Sequence, residues 1–362
     1  MSEQKAAVAA AGPTFEELAD RAAELAQLRA SADAVLARAW SASAARDLLD
    51  TAGPAYEPAL WTTVVELGWP EVMVDADAGG GGAGVRELCV LSEACGYAAA
   101  GLPLAATAAA MWAEGGCADG IAVVLPQPGQ LAAGAVSGSW PAVAYAQVAA
   151  RLLVLGDDAG TPVLCAVSAS APGVRRTPVV PIDHNPAANV EFDGAPCTLL
   201  AEGEEAVRRH REAVRRMMLG EIAELVGVAA AANAAAVDYA GTRVAFGKPI
   251  GTFQAVKHRL VDQRADIEVG RALVARAADA VDRARPDAAA IASLAAFWAL
   301  DRLVHVPEGA VQVFGGIGYT WEHQAHVHLR RAARLAMSLG GRAAHRGVAA
   351  GWLHGLLAGE RA

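Results

Sequence analysis

The sequence predicts an α+β fold that is mostly α. It divides into an N-terminal helical domain (residues 1–118), a middle antiparallel, barrel-like β domain (119–200) and a C-terminal four-helix bundle (201–362). Three observations carry this prediction. The chain is 54% hydrophobic but only 5% aromatic, and alanine, which favours closely packed helices, dominates. On both sides of the middle segment, apolar residues recur at three- and four-residue spacing. Within that segment they form short β-branched runs separated by Gly, Pro, Asp and Ser.

Residues 1–12 are small and polar and predict no element. Thr14, followed by Glu16 and Glu17, starts the first helix, with Leu18, Ala22, Leu25 and Leu28 near one face. Leu60, Val64, Val65 and Leu67 mark a second amphipathic segment that ends at Gly68. Gly79 to Gly84 reads as a loop and Val85 to Ala98 as a helix. Strands are expected over Ile121–Leu125, Ala142–Ala146, Leu152–Leu155, Val163–Val167, Val179–Ile182 and Asn189–Phe192, closed by Gly194–Cys197. Leu219, Ile222, Val226, Ala230, Asn233 and Val237 then restore the helical period. Further helices are predicted over Phe253–Ala284, Asp287–Phe314 with a bend at Pro307, Trp321–Leu339 and Ala343–Leu357. Long helices joined by short turns predict an antiparallel bundle.

A net charge of -9 argues against a nucleic-acid surface, which needs a clustered basic face. The five cysteines form no CxxC pair and read as free thiols in a reducing compartment. The N-terminus lacks a basic region followed by an apolar core, and Glu221, Glu224 and Asn233 interrupt the most apolar helix. The expected protein is soluble and cytoplasmic, with no membrane partner.

Two stretches carry chemistry. Tyr239-Ala-Gly-Thr-Arg243-Val-Ala-Phe246-Gly247-Lys-Pro249-Ile250-Gly251-Thr-Phe253-Gln254 places a guanidinium and an amide on either side of a turn that opens a helix. Free N–H groups at a helix start favour anions, and a guanidinium one turn away suits a pyrophosphate. Gln312-Val-Phe-Gly315-Gly316-Ile-Gly318-Tyr319-Thr320 lets backbone come close to a ligand. The plain alternative is a pair of tight helix–helix turns. These two motifs, with Leu67-Gly68-Trp69, the Gly79 loop and Glu93-Ala-Cys-Gly96, resemble the acyl-CoA dehydrogenase family, and the resemblance extends over nearly the whole chain.

That resemblance implies FAD bound at a subunit interface of a homo- or hetero-oligomer. Arg243 and Gln254 would reach the pyrophosphate of a neighbouring subunit's FAD, with Phe246 and Phe253 nearby, and Gln312, Gly315 and Gly316 would approach the same dinucleotide. It also implies α,β-desaturation of an acyl-CoA or acyl-carrier thioester. A carboxylate removes the α-proton, the β-hydrogen leaves as hydride to the flavin, and the electrons pass on to an acceptor. Here the chain departs from the family. The usual base position holds Leu339 and the alternative one Met217, followed by Met218 where many members place an arginine. Glu221 and Glu224 follow Met217 on the same helix face, and Glu221 is the candidate for a displaced base. Arg215 and Arg216 offer themselves for the missing arginine, against a reading as surface charges. Some branches pair a longer, base-bearing subunit with a shorter, base-lacking one, and this short chain looks like the latter. The alternatives are a catalytically silent partner and a flavin oxidase or hydroxylase offshoot.

Two other motifs carry bland readings. Gly79-Gly-Gly81-Gly-Ala-Gly84 matches GxGxxG but lacks a preceding strand. His323, His326 and His328 do not complete a metal set, and no nucleophile triad is legible from spacing.

Overall fold

The computed structural model describes residues 15–50, 56–117, 119–132 and 134–358. Thr14, the Leu18 side chain and the run before Thr14 lie outside them. Helix α1 (Phe15–Ala39) buries Leu25, Ala32 and Leu36, and short α2 (Ala42–Leu49) buries Ala45 and Leu49. Helix α3 (Pro58–Glu66) begins on a proline that needs no N–H there and buries Leu60, Trp61 and Val64. Val65 and Leu67, expected on that face, are exposed. Helix α4 (Val85–Tyr97) and alanine-rich α5 (Leu104–Glu114) are almost wholly buried.

A mixed sheet of eight strands follows, comprising β1 (Ala122–Val124), β2 (Gln130–Ala132), β3 (Ala135–Ala144), β4 (Arg151–Asp158), β5 (Thr161–Ser168), β6 (Val174–Val179), β7 (Ala187–Pro196) and β8 (Thr198–Glu202). Its order is β6-β7-β3-β2-β4-β5-β8, with β1 beside β4. Three expectations need correction. The sheet is not purely antiparallel, because β1 and β2 both run parallel to β4. The Val179–Ile182 run is mostly a turn, with Val180 79% exposed, and the strand lies just before it. β2 and β8 were unexpected, and β8 carries the sheet beyond Cys197.

Helix α6 (Gly203–Thr242) is the spine of the molecule. Its apolar length alone would suit a membrane span, yet 78% of its most apolar window is buried inside the fold. It packs on α4, α5, β5 and the later helices α7 (Gln254–Asp282), α8 (Ala288–Trp298), α9 (His305–Phe314) and α10 (Ala325–Ser338). The α4–α6 crossing is closed by two glycines. A Cβ on Gly96 would collide with the Glu224 carbonyl, and one on Gly227 would meet Tyr97 N at 2.6 Å. Between α8 and α9 a π-helical turn (Ala299–Leu303) stands just upstream of Pro307. Pro307 itself sits in the first turn of α9, where its missing N–H costs little. The irregularity therefore falls before the proline, not at it. Residues 320–324 are turns, so α10 starts later than the expected Trp321. Helix α11 (Arg342–Leu357) leans on α8.

Candidate functional site

The two motifs of the sequence meet at one end of α6. Tyr239, in its last turn, packs edge-on against Phe314, the last residue of α9, with ring centroids 5.2 Å apart. Beyond Arg243 the chain forms a two-residue hairpin, Val244–Ala245 pairing with Lys248–Pro249. Phe246 (φ 52°) and Gly247 (φ 78°) both take left-handed backbone, as a type I′ turn requires. Ile250 N donates to Arg243 O at 2.8 Å and returns the chain to α6. A Cβ on Gly251 would stand 2.9 Å from Ala240 O, so only glycine allows this return.

Helix α7 then starts without a side-chain cap, and the N–H groups of Gln254 and Ala255 find no acceptor among the described residues. The side chains of Arg243, Gln254 and Gln312 are exposed and likewise make no hydrogen bond or ion pair among the described residues. Phe246 is 95% exposed and stands edge-on to Phe253, and Lys248 Nζ lies 4.5 Å from the Phe253 ring centroid. The glycines of the second motif differ in role. A Cβ on Gly318 would press on Phe314 Cβ at 2.9 Å, so Gly318 serves packing. A Cβ on Gly315 or Gly316 would meet open space. Gly315 takes left-handed backbone (φ 65°), which itself favours glycine. A cation, two amides, free helix-start N–H groups and bare backbone share one open edge, which fits a pyrophosphate-bearing dinucleotide.

The base positions lie elsewhere, between α6, α10 and the sheet. Met217 and Met218 are half-buried against the core, and buried Leu339 caps α10. One and two turns beyond Met217, the sequence places Glu221 and Glu224, and both are taken up in a buried ion network. Arg331 Nε donates to Glu224 at 2.5 Å, Arg331 Nη1 to Asp183 at 2.8 Å and Arg331 Nη2 to the Tyr145 hydroxyl at 3.0 Å. Arg334 reaches Asp183 through Nε at 3.3 Å and Glu221 through Nη1 at 3.4 Å. Asn185 Nδ2 donates to Asp183 at 2.8 Å. Burial pushes the Glu221 carboxyl above the usual range, and Arg334 opposes this. Arg334 Nη2 is buried without an acceptor. Beside the network, a cavity of about 30 Å³ touches Asp183, Asn185 and Arg331 under α2.

The structure thus brings Arg243, Phe246, Phe253, Gln254, Gln312, Gly315 and Gly316 to one edge and sets Glu221, Met217 and Leu339 apart from it. Five members of the network escaped sequence reasoning: Tyr145, Asp183, Asn185, Arg331 and Arg334. A signal existed for two of them. Val327, Arg331, Arg334 and Leu335 continue the apolar stripe of α10, and arginines on a buried stripe demand buried carboxylates. Arg216 is not a surface charge. Its guanidinium lies 3.7 Å from the Trp112 ring centroid and bonds Glu212. The Gly79 loop turns its donors inward, with Gly80, Gly81 and Gly82 N bonded to Asp75, Glu71 and Val74 carbonyls, and offers no phosphate cradle. His323 packs on Phe314 and His326 on Trp321.

A family model described as acyl-CoA dehydrogenase, C-terminal domain, matches residues 209–353, and one described as the N-terminal domain of that family matches 22–117. Acyl-CoA dehydrogenase FadE34 of Mycobacterium tuberculosis is 31% identical over 337 residues, covering 86% of this chain and 46% of that protein. Acyl-CoA dehydrogenase IpdE2 of the same organism is 44% identical over 32% of this chain and 35% of its own length. The chain thus spans about half or less of the length of these curated relatives. Among solved structures, the ChsE4-ChsE5 complex from M. tuberculosis aligns with TM-score 0.81 at 25% identity over 89% of this chain and 94% of that one. A variant of the Tcur3481-Tcur3483 steroid acyl-CoA dehydrogenase aligns with TM-score 0.82 at 25% identity over 93% and 99%.

Proposed function

Because the chain belongs to the acyl-CoA dehydrogenase family, whose cofactor is FAD, we propose that it is the base-lacking subunit of a heteromeric acyl-CoA dehydrogenase and completes the FAD site of a related, base-bearing chain. One observation carries the reading. Both base positions, Met217 and Leu339, are apolar, while the nearest carboxylates, Glu221 and Glu224, are engaged by Arg334 and Arg331. The two structural relatives described by paired chain names point the same way, and one of them is described as acting on a steroid.

In this assembly Arg243 and the Gln254 amide hold the pyrophosphate of FAD, and Gln312, Gly315 and Gly316 let backbone approach it. Bound FAD supplies the hydride acceptor. Because neither ordinary base position of this chain, Met217 or Leu339, carries a carboxylate, the α-proton of the acyl thioester goes to a carboxylate of the partner. Glu221 serves the fold and not the proton transfer. The partner also presents the thioester and passes electrons to the acceptor.

Purification alone and with a longer family chain tests the proposal. Alone, the protein is expected colourless. Co-purified with the longer chain, it is expected to carry FAD that an acyl-CoA bleaches, and Arg243→Ala is expected to lower flavin content at least tenfold without unfolding either chain. A yellow preparation of this chain alone that an acyl-CoA bleaches would overturn the reading.

A further inference from the structure

The charge around the open edge runs against the rest of the molecule. In a chain of net charge -9, residues 243–264 hold five cations (Arg243, Lys248, Lys257, Arg259 and Arg264) and a single anion, Asp262. Two of the three lysines of the chain stand here. All five cations are exposed, and only Arg264 has a carboxylate partner among the described residues, Glu268 at 2.7 Å. Their placement is unfavourable within the isolated chain. Helix α7 has no acidic residue in its first turn and sets Lys257 and Arg259 in its first two turns, against the positive end of the helix dipole. A sequence free to choose would place carboxylates there. The same helix exposes an apolar seam at i, i+4 and i+8 spacing, Val261, Ala265 and Val269, and the hairpin before it exposes Val244 and Phe246.

Resting on the heteromer reading above, we infer that this face docks a partner chain of the same family whose matching face is acidic around an apolar centre, and that it disfavours a second copy of itself. A twofold contact between identical chains sets one patch against itself. Here it would oppose two basic patches. An acidic partner face instead neutralises Lys257 and Arg259, which lie beyond the Arg243–Gln254 edge, and steers encounter at low salt.

The test uses Lys257→Glu with Arg259→Glu, which brings the formal charge of residues 243–264 from +4 to zero. The sites are exposed, so circular dichroism and melting of the variant are expected to match the parent chain. Against the co-purifying longer chain, the variant is expected to bind at least tenfold more weakly in 50 mM NaCl, with the gap closing towards twofold in 500 mM. Sedimentation of each chain alone is expected to show the opposite: the variant self-associates more than the parent in 50 mM NaCl, because the repulsion is gone. A misfolded variant would not move the two readouts in opposite directions. Equal partner affinity for parent and variant would overturn the inference, as would a parent chain that forms its firmest self-dimer at low salt. Unchanged association with lost flavin would assign these cations to the phosphates of FAD and also overturn it. A parent chain that captures no longer relative at either salt sinks the heteromer reading, and the self-association arm still judges the repulsion.

Discussion

Arg331→Met is the sharpest test of how the middle of the molecule is held. Arg331 is 4% exposed and binds Glu224, Asp183 and Tyr145. Its partners do not lose equally. Asp183 keeps Arg334 at 3.3 Å and Asn185 at 2.8 Å, whereas Glu224 pairs with no second cation among the described residues. The variant therefore strands one buried carboxylate, and breaking a buried ion pair from one side costs about 3–5 kcal/mol. With a melting shift of about 2 °C per kcal/mol for a chain of this size, melting is expected to fall by on the order of 8 °C. Removing both partners in Arg331→Met with Glu224→Met leaves no orphaned charge, and at least half of the loss is expected to return. Calorimetry on the three proteins at one pH decides it. A single variant within about 1 kcal/mol of the parent, or a double variant no better than the single, would refute the assignment of Arg331 as the counter-charge.

Three further outcomes follow from the geometry. The Glu221 carboxyl is pushed up by desolvation, so its charged form weakens the fold above its folded pKa, and this cost vanishes as pH falls below the ordinary carboxylate range. Glu221→Gln is therefore expected to melt higher than the parent at pH 8, with no gain near pH 4, and to leave turnover of the assembled enzyme intact. A loss of turnover beyond tenfold would restore Glu221 as the base. Gly227→Ala drives a methyl group into α4 backbone and is expected to cost about 3 kcal/mol or more by denaturant melting. Gly347→Ala, on exposed α11 with nothing within 4 Å, is expected to gain up to about 1 kcal/mol, and a loss there would contradict the open placement of that face.

Legibility in the sequence followed the range of the forces involved. The long helices were readable because their apolar period repeats over many turns; α7 and α11 end within a few residues of expectation, whereas α6 starts at Gly203, well before the periodic run from Leu219. The motif from Tyr239 to Gln254 was readable because its hairpin and helix start lie within one short stretch. β2 and β8 were not, since Gln130-Leu-Ala and Thr198-Leu-Leu-Ala-Glu are too short to show alternation and depend on neighbours for pairing. The ion network was hidden for a similar reason. Its members come from residues 145, 183–185, 221–224 and 331–334, and no local pattern couples a tyrosine in a turn to an arginine 186 residues later. Only the buried stripe of α10, on which Arg331 and Arg334 stand, hinted at it.

Phe246 has a consequence for how the protein is made. A large aromatic ring in left-handed backbone, almost wholly in water, is an unfavourable feature for a chain without the proposed partner. In the proposed heteromer, a newly synthesised copy would keep this ring in water or on a chaperone until the partner covers the hairpin. On the heteromer proposal, matched synthesis of the two chains would therefore set the yield of usable complex, and producing this chain in excess would swell the insoluble fraction.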